Sequence, residues 1–180
     1  DLSARYQSEL ANGFGNLASR AIAMIHRYFD GTLPEPGVST EAELEIQKIA
    51  ADAVRAADAA IDEVAIHEAI AQVWTLVDAL NLYITVQEPW VLAKDEANRE
   101  RLGTVLYTTA EGLRALAVLL SPVVPKATAK LWSALAAQSL GDLADRPIRE
   151  AADWGQLPAG AKIAELEPLF PRIEQDTETK

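Results

Sequence analysis

Between Leu10 and Tyr28 the apolar residues Leu10, Phe14, Leu17, Ala21, Met24 and Tyr28 follow one another at intervals of four and three. That spacing draws one stripe along a helix, whereas a strand would scatter the same residues over both of its faces. The stripe predicts a helix over 3–29. It stops at Asp30-Gly31, and Leu33-Pro34-Glu35-Pro36-Gly37 cannot continue it, because proline has no N–H and its ring obstructs the preceding turn.

The same pattern recurs downstream. Thr40 and Glu43 stand three apart, the spacing of a capping box, and open a helix to about Ala60 with the stripe Leu44, Ile46, Ile49, Ala53, Ala57, Ile61. Asp62 or Glu63 starts the next, with Ile66, Ile70, Val73, Val77, Leu80 and Ile84 inward. Pro89 biases Glu88 away from the helical region, so this helix ends by Gln87. A second long helix follows over 95–120, with Leu102, Leu106, Leu113, Leu116 and Leu120 inward. Ser121-Pro122 breaks it, and Pro125 opens a shorter helix through Leu131, Trp132 and Leu135. The fold class is all-α: an antiparallel bundle of about five helices over 1–140. Residues 141–180 form an irregular strapping segment of the same structural domain, fraying after Ile173.

Composition narrows the chemistry. With no cysteine among 180 residues, a disulfide, a thiolate zinc site and a cysteine nucleophile are excluded. No uninterrupted apolar run reaches the roughly 18–20 residues of a membrane span. The longest, 113–124, contains Arg114, Ser121 and Pro122. The opening Asp1-Leu2-Ser3 has neither an initiator Met nor a signal peptide, which suggests a piece of a longer cytoplasmic protein. The net charge of −11 argues against a broad phosphate-binding surface, which requires clustered Lys and Arg. Much of the acidity is local, since residues 31–72 carry nine acids and two bases while 1–30 are balanced.

No catalytic residue and no metal ligand set is expected. His67-Glu68 begins like a helical zinc motif, but Ala71 occupies the second ligand position. No glycine-rich phosphate loop is present, and Ser19 lacks a nucleophile elbow. Acid pairs such as Asp62-Glu63 and Asp95-Glu96 suit helix starts. Three features remain. Asn16 and Arg20 lie four apart on the first helix, off its apolar stripe and on the side shared with Gly13 and Arg27. An amide beside a guanidinium offers directional donors and an acceptor fit for base edges, and Gly13 would allow close approach. The same pair also fits an ordinary solvated helix side. Trp90, after Pro89 at a forced break, is either a core plug or an exposed stacking plate. Trp74, Trp132 and Trp154 are read as core.

Several segments resemble, in order, the anticodon-binding domain of methionyl-tRNA synthetases. They are Asn16-Leu17-Ala18-Ser19-Arg20; Tyr28-Phe29-Asp30-Gly31; Asn81-Leu82-Tyr83-Ile84 with Glu88-Pro89-Trp90-Val91-Leu92-Ala93-Lys94-Asp95; Leu120-Ser121-Pro122-Val123-Val124-Pro125; and Pro168-Leu169-Phe170-Pro171-Arg172-Ile173. The resemblance spans nearly the whole chain. It implies a helical bundle that binds the CAU anticodon of methionine tRNA as splayed bases. In that family the asparagine and arginine of the Asn-Leu-x-x-Arg segment and the tryptophan after proline touch those bases; they match Asn16, Arg20 and Trp90, with Pro89 shaping the loop. Stacking plus edge hydrogen bonds is how single-stranded RNA is usually read.

The family's catalytic signatures, His-Ile-Gly-His and Lys-Met-Ser-Lys-Ser, are absent here. ATP, and zinc if present, would therefore belong to a catalytic domain outside this stretch, and this stretch holds no cofactor. The expected partners are the anticodon loop of methionine tRNA and that catalytic domain, with no DNA and no membrane. The resemblance also implies that the tail turns toward the catalytic domain, so some of Trp154, Leu169 and Phe170 are expected to be exposed or to find a substitute contact. Two rival readings stand beside this one. One is an acidic helical scaffold working through 31–72, which an exposed apolar patch there would favour. The other is the helical domain of a related synthetase, disfavoured by the set of Asn16, Arg20 and Trp90.

Overall fold

The computed structural model describes residues 8–171. Among them are six α-helices and no strand, only an isolated bridge between Thr32 and Lys162. A π-helical turn, Leu10–Gly15, leads into α1, Asn16–Phe29. There follow α2, Glu41–Ala59; α3, Glu63–Gln87; the four-residue α4, Pro89–Leu92; α5, Arg99–Leu120; and α6, Pro125–Ala134. Short 3-10 turns carry the chain on to Ala152. The expected first five residues of the first helix, 3–7, and the fraying after Ile173 lie outside the described residues.

The breaks fall where local chemistry places them. Thr40 and Glu43 form the capping box at the head of α2, with the Thr40 N–H donating to Glu43 Oε1 at 2.9 Å. Asp62 caps α3 by accepting from the Ala65 N–H at 2.8 Å. At the other end of α3, Glu88 adopts a left-handed conformation with φ 49°. A 3-10 turn, Glu96–Asn98, precedes α5, which therefore starts at Arg99 rather than at Asp95.

The main departure concerns α5. Its five expected leucines are buried, but so is every other residue from Leu102 to Leu120. The helix is a central rod, covered on all sides, and its Thr104, Thr108, Thr109, Glu111 and Arg114 are as hidden as its leucines. A stripe argument assumes one covered face; here α1, α2, α3, α6 and the C-terminal strap share the rod between them.

The second departure concerns the α2–α3 hairpin. Leu44, Ile61, Ile66 and Ile70, expected inward, are exposed. Ile66 and Ile70 line an open groove of about 180 Å³ at the hairpin tip, together with Ala57, Ala60 and Ile148, and it ends at Leu119, Leu120 and Pro122, where α5 stops. The stretch Glu63–Leu92 is also long and apolar enough to cross a bilayer by length and composition alone. Its Leu76, Val77, Leu80 and Ile84 are buried in the protein core.

The strap packs more firmly than expected. Glu111 and Arg114, both fully buried, pair at 2.7 Å. Glu111 accepts from the Gly155 and Leu157 N–H groups at 2.7 and 2.9 Å, while Arg114 donates to the Ala151 and Asp153 carbonyls. Tyr107 donates its hydroxyl to the Leu157 carbonyl at 2.8 Å. Burial, with the Glu111 carboxylate nearby, pushes the Tyr107 phenol well above its usual range. Leu169 is buried, and Phe170, half-buried, sets its edge against Phe14 with ring centres 6.4 Å apart. Trp154 is also half-buried, so none of the three tail residues stands exposed. One continuous core runs from Leu10 to Leu169.

Candidate nucleic-acid interface

Asn16 and Arg20 lie one turn apart on α1, both exposed, immediately after the π-helical turn. Among the described residues no carboxylate stands within ion-pair distance of Arg20, so its guanidinium is free to donate outward. Arg27, two turns further on, is exposed and lies over the Tyr28 ring at 5.7 Å.

Gly13 does not open this surface to a ligand. A Cβ at Gly13 would meet Val77 Cγ1 at 3.2 Å and the Trp74 ring at 3.5 Å. The space that glycine leaves is occupied by α3, and its function is close packing of two helices. Asn81 on α3 seals the contact, donating to the Gly13 carbonyl at 3.3 Å. Trp74 is half-buried in this packing and Trp132 is buried, in keeping with their reading as core residues.

Among the described residues Trp90 is the aromatic that the core leaves out. It is 38% exposed, while Pro89 beside it is buried. Proline at the first position of α4 sacrifices no hydrogen bond there, and its fixed φ sets the new helix direction. The α3–α4–α5 path is tied to both ends of α1. Asn81 holds Gly13, and beyond Trp90 Arg99 donates to the Tyr28 carbonyl at 3.3 Å and stacks on Phe29 at 4.4 Å. Trp90 thus sits on the segment that runs between the two anchor points flanking Asn16 and Arg20. Val86 and Val91 are exposed around it, with Leu82 one turn before Val86. Sequence reasoning missed this apolar edge, although Leu82 and Val86 stand four apart off the α3 stripe, a legible signal.

Behind the surface lies a polar network that joins three helices. Glu43 on α2 is completely buried and receives both Arg101 Nη groups, at 2.6 and 2.8 Å, together with the Tyr83 hydroxyl at 2.7 Å. Arg101 Nη2 also donates to Gln87 Oε1 at 2.7 Å. Burial alone would raise the Glu43 carboxyl, but hydrogen bonds from Arg101, Thr40 and Tyr83 outweigh it and hold the group at about 2. Burial, then the Glu43 hydrogen bond, push Tyr83 well above the usual phenol range, and the Glu43 hydrogen bond raises Arg101 as well.

His67 is exposed on α3, with Nδ1 2.7 Å from the Glu63 carbonyl oxygen. Among the described residues no three His, Asp or Glu side chains stand close enough together to hold a metal.

A bundle of helices with no strand among the described residues places the chain in the class of all-α domains, and Asn16, Arg20 and Trp90 are exposed on its surface. The chain belongs to the family described as the anticodon binding domain of methionyl tRNA ligase, whose pattern matches residues 33–180. It is 50% identical over 179 residues to a methionine–tRNA ligase of Streptomyces coelicolor, covering 97% of this chain and 33% of that protein. With a methionine–tRNA ligase of Caldanaerobacter subterraneus the identity is 39%, over 97% of this chain and 26% of that protein. The fold superposes with a TM-score of 0.83 on Mycobacterium tuberculosis methionyl-tRNA synthetase in complex with methionyl-adenylate, at 31% identity, over 95% of this chain and 33% of that one. The chain thus spans about a third or less of the length of these relatives. The exposed Ile61, Val64, Ile66 and Ile70 mean that the acidic stretch is not a purely charged face, but family membership does not favour the scaffold reading.

Proposed function

We propose that this domain selects methionine tRNA for aminoacylation by reading the CAU anticodon as splayed single-stranded bases. Asn16 and Arg20 hydrogen-bond to base edges, Trp90 offers the stacking plate, and Pro89 sets its turn. The observation that carries this reading is the exposure of Trp90 at the break, on a segment tethered to α1 on either side of the Asn16–Arg20 pair. The acidity of the chain fits a small, base-directed contact with few phosphate partners. The parent ligase joins methionine to the tRNA with ATP in the cytoplasm; its catalytic domain, with ATP and any zinc, supplies the chemistry, and this domain supplies the choice of tRNA.

Trp90→Ala in the full-length ligase tests the reading. Base–aromatic stacking is worth about 1–3 kcal/mol, so methionylation efficiency should fall by roughly 5- to 150-fold while tRNA-independent methionine activation is retained. Equal loss in both assays would sink it. Arg20→Ala should remove about 1–3 kcal/mol of discrimination between CAU and altered anticodons, the worth of a bidentate base contact. Unchanged discrimination between such tRNAs would remove Arg20 from the site.

A further inference from the structure

We propose that Gln87 and Arg101 are a positioning pair that aims Trp90 for base stacking; the inference rests on the proposed anticodon reading. Trp90 sits on a helix of four residues, too short to hold its own orientation. That orientation is imposed at the joint between α3 and α4. There Glu88 is left-handed, a conformation that a residue with a Cβ keeps only when its surroundings over-determine it. Part of the constraint is backbone: the Glu88 N–H donates to the Ile84 carbonyl at 3.0 Å, and the Val91 and Leu92 N–H groups donate to the Glu88 carbonyl.

The rest is the side chain of Gln87, the last residue of α3, held by Arg101. Arg101 cannot drift, because both of its terminal nitrogens are engaged by the fully buried Glu43 carboxylate, itself fastened by Tyr83 and Thr40. The charge of Arg101 is already met by Glu43, so its bond to Gln87 is not needed for neutralisation. What that bond does is fix the exit of α3, three residues before Trp90, to a point shared by α2, α3 and α5. A glutamine must give up rotamer freedom to serve there, and the return is a defined direction for the joint.

Gln87→Ala removes the tether and leaves the Glu43–Arg101–Tyr83 core intact. In the full-length ligase it should raise the KM for methionine tRNA about three- to tenfold with kcat within twofold. Gln87→Glu, whose carboxylate accepts the same Arg101 hydrogen bond, should return KM to within twofold of the parent. In a Trp90→Ala background, Gln87→Ala should add less than a further twofold, because the residue it aims is gone. An unchanged KM for Gln87→Ala, no rescue by Gln87→Glu, or full multiplication of the two effects would each overturn the positioning role. If Trp90→Ala is itself silent, the anticodon reading fails and this inference fails with it; a damaging Trp90→Ala beside a silent Gln87→Ala overturns the positioning alone.

Discussion

At the scale of single residues, the most consequential side chain behind the candidate interface is a carboxylate that no solvent reaches. Glu43 stays ionised because Arg101, Thr40 and Tyr83 together outweigh its burial. Its carboxyl lies at about 2 in the folded chain against 4.5 when free. A depressed value means that the contribution is complete above pH 4.5 and lost as pH falls through 2. The full span corresponds to about 3 kcal/mol. Wild type and Glu43→Gln, compared by urea unfolding, should therefore converge between pH 5 and pH 2.5. A gap that stays constant over that range would show that the carboxylate is not the titrating group. Gly13 and Trp90 carry the interpretive lesson at this scale. Both were legible as candidates from their positions beside Asn16 and after Pro89. Which one faces outward depends on what α3 covers, and α3 covers Gly13.

At the scale of elements, the joints between helices were readable and their covered sides were not. The capping box at Thr40, the cap at Asp62 and the break at Pro89 are local events within four residues, and each stands where spacing and proline chemistry put it. The stripe of α3 was right from Val73 onward and wrong at Ile66 and Ile70, which line the open groove at the hairpin tip. The crossing of α3 and α5 gives a direct test of packing. A Cβ at Gly112 would come within 2.7 Å of Leu80 Cδ1 and 2.8 Å of its Cδ2, and Leu80 is fully enclosed. Gly112→Ala gains about 1 kcal/mol of helix propensity but overpacks a filled site, which costs about 1–3 kcal/mol. The net expectation is a loss of about 1 kcal/mol and a lower thermal midpoint. A raised midpoint would mean that Leu80 can yield.

At the scale of the whole molecule, the strap is held by a buried ion pair rather than by apolar contact alone. Glu111 serves Arg114 and two strap N–H groups at once, so Glu111→Ala leaves a buried guanidinium and two donors without their acceptor. Breaking such a pair from one side costs about 3–5 kcal/mol. Urea unfolding should register a loss of that size, and limited proteolysis should open the chain first within 151–163. A loss below about 1 kcal/mol would show that the strap is carried by Leu157, Ile163 and Leu169 instead. Phe170 sets its edge against Phe14, a residue far upstream that no local pattern links to the tail.

The sequence by itself determined most of the helices and their breaks, because helical periodicity, capping and proline effects act over a few neighbouring residues. At that range Asn16, Arg20 and Trp90 stood beside ordinary readings, a solvated helix side for the first two and a core plug for the third, and only the resemblance to the anticodon-binding family joined them into one candidate site. Only the tertiary structure decided that α5 would be covered on every side, that α3 would fill the space beside Gly13, that Glu43 would meet Arg101 and that Trp90 would be left outside the core. Each of these depends on which surfaces meet across long separations in the chain. Burial and charge pairing are settled there, and the same stripe of apolar residues is compatible with more than one set of neighbours.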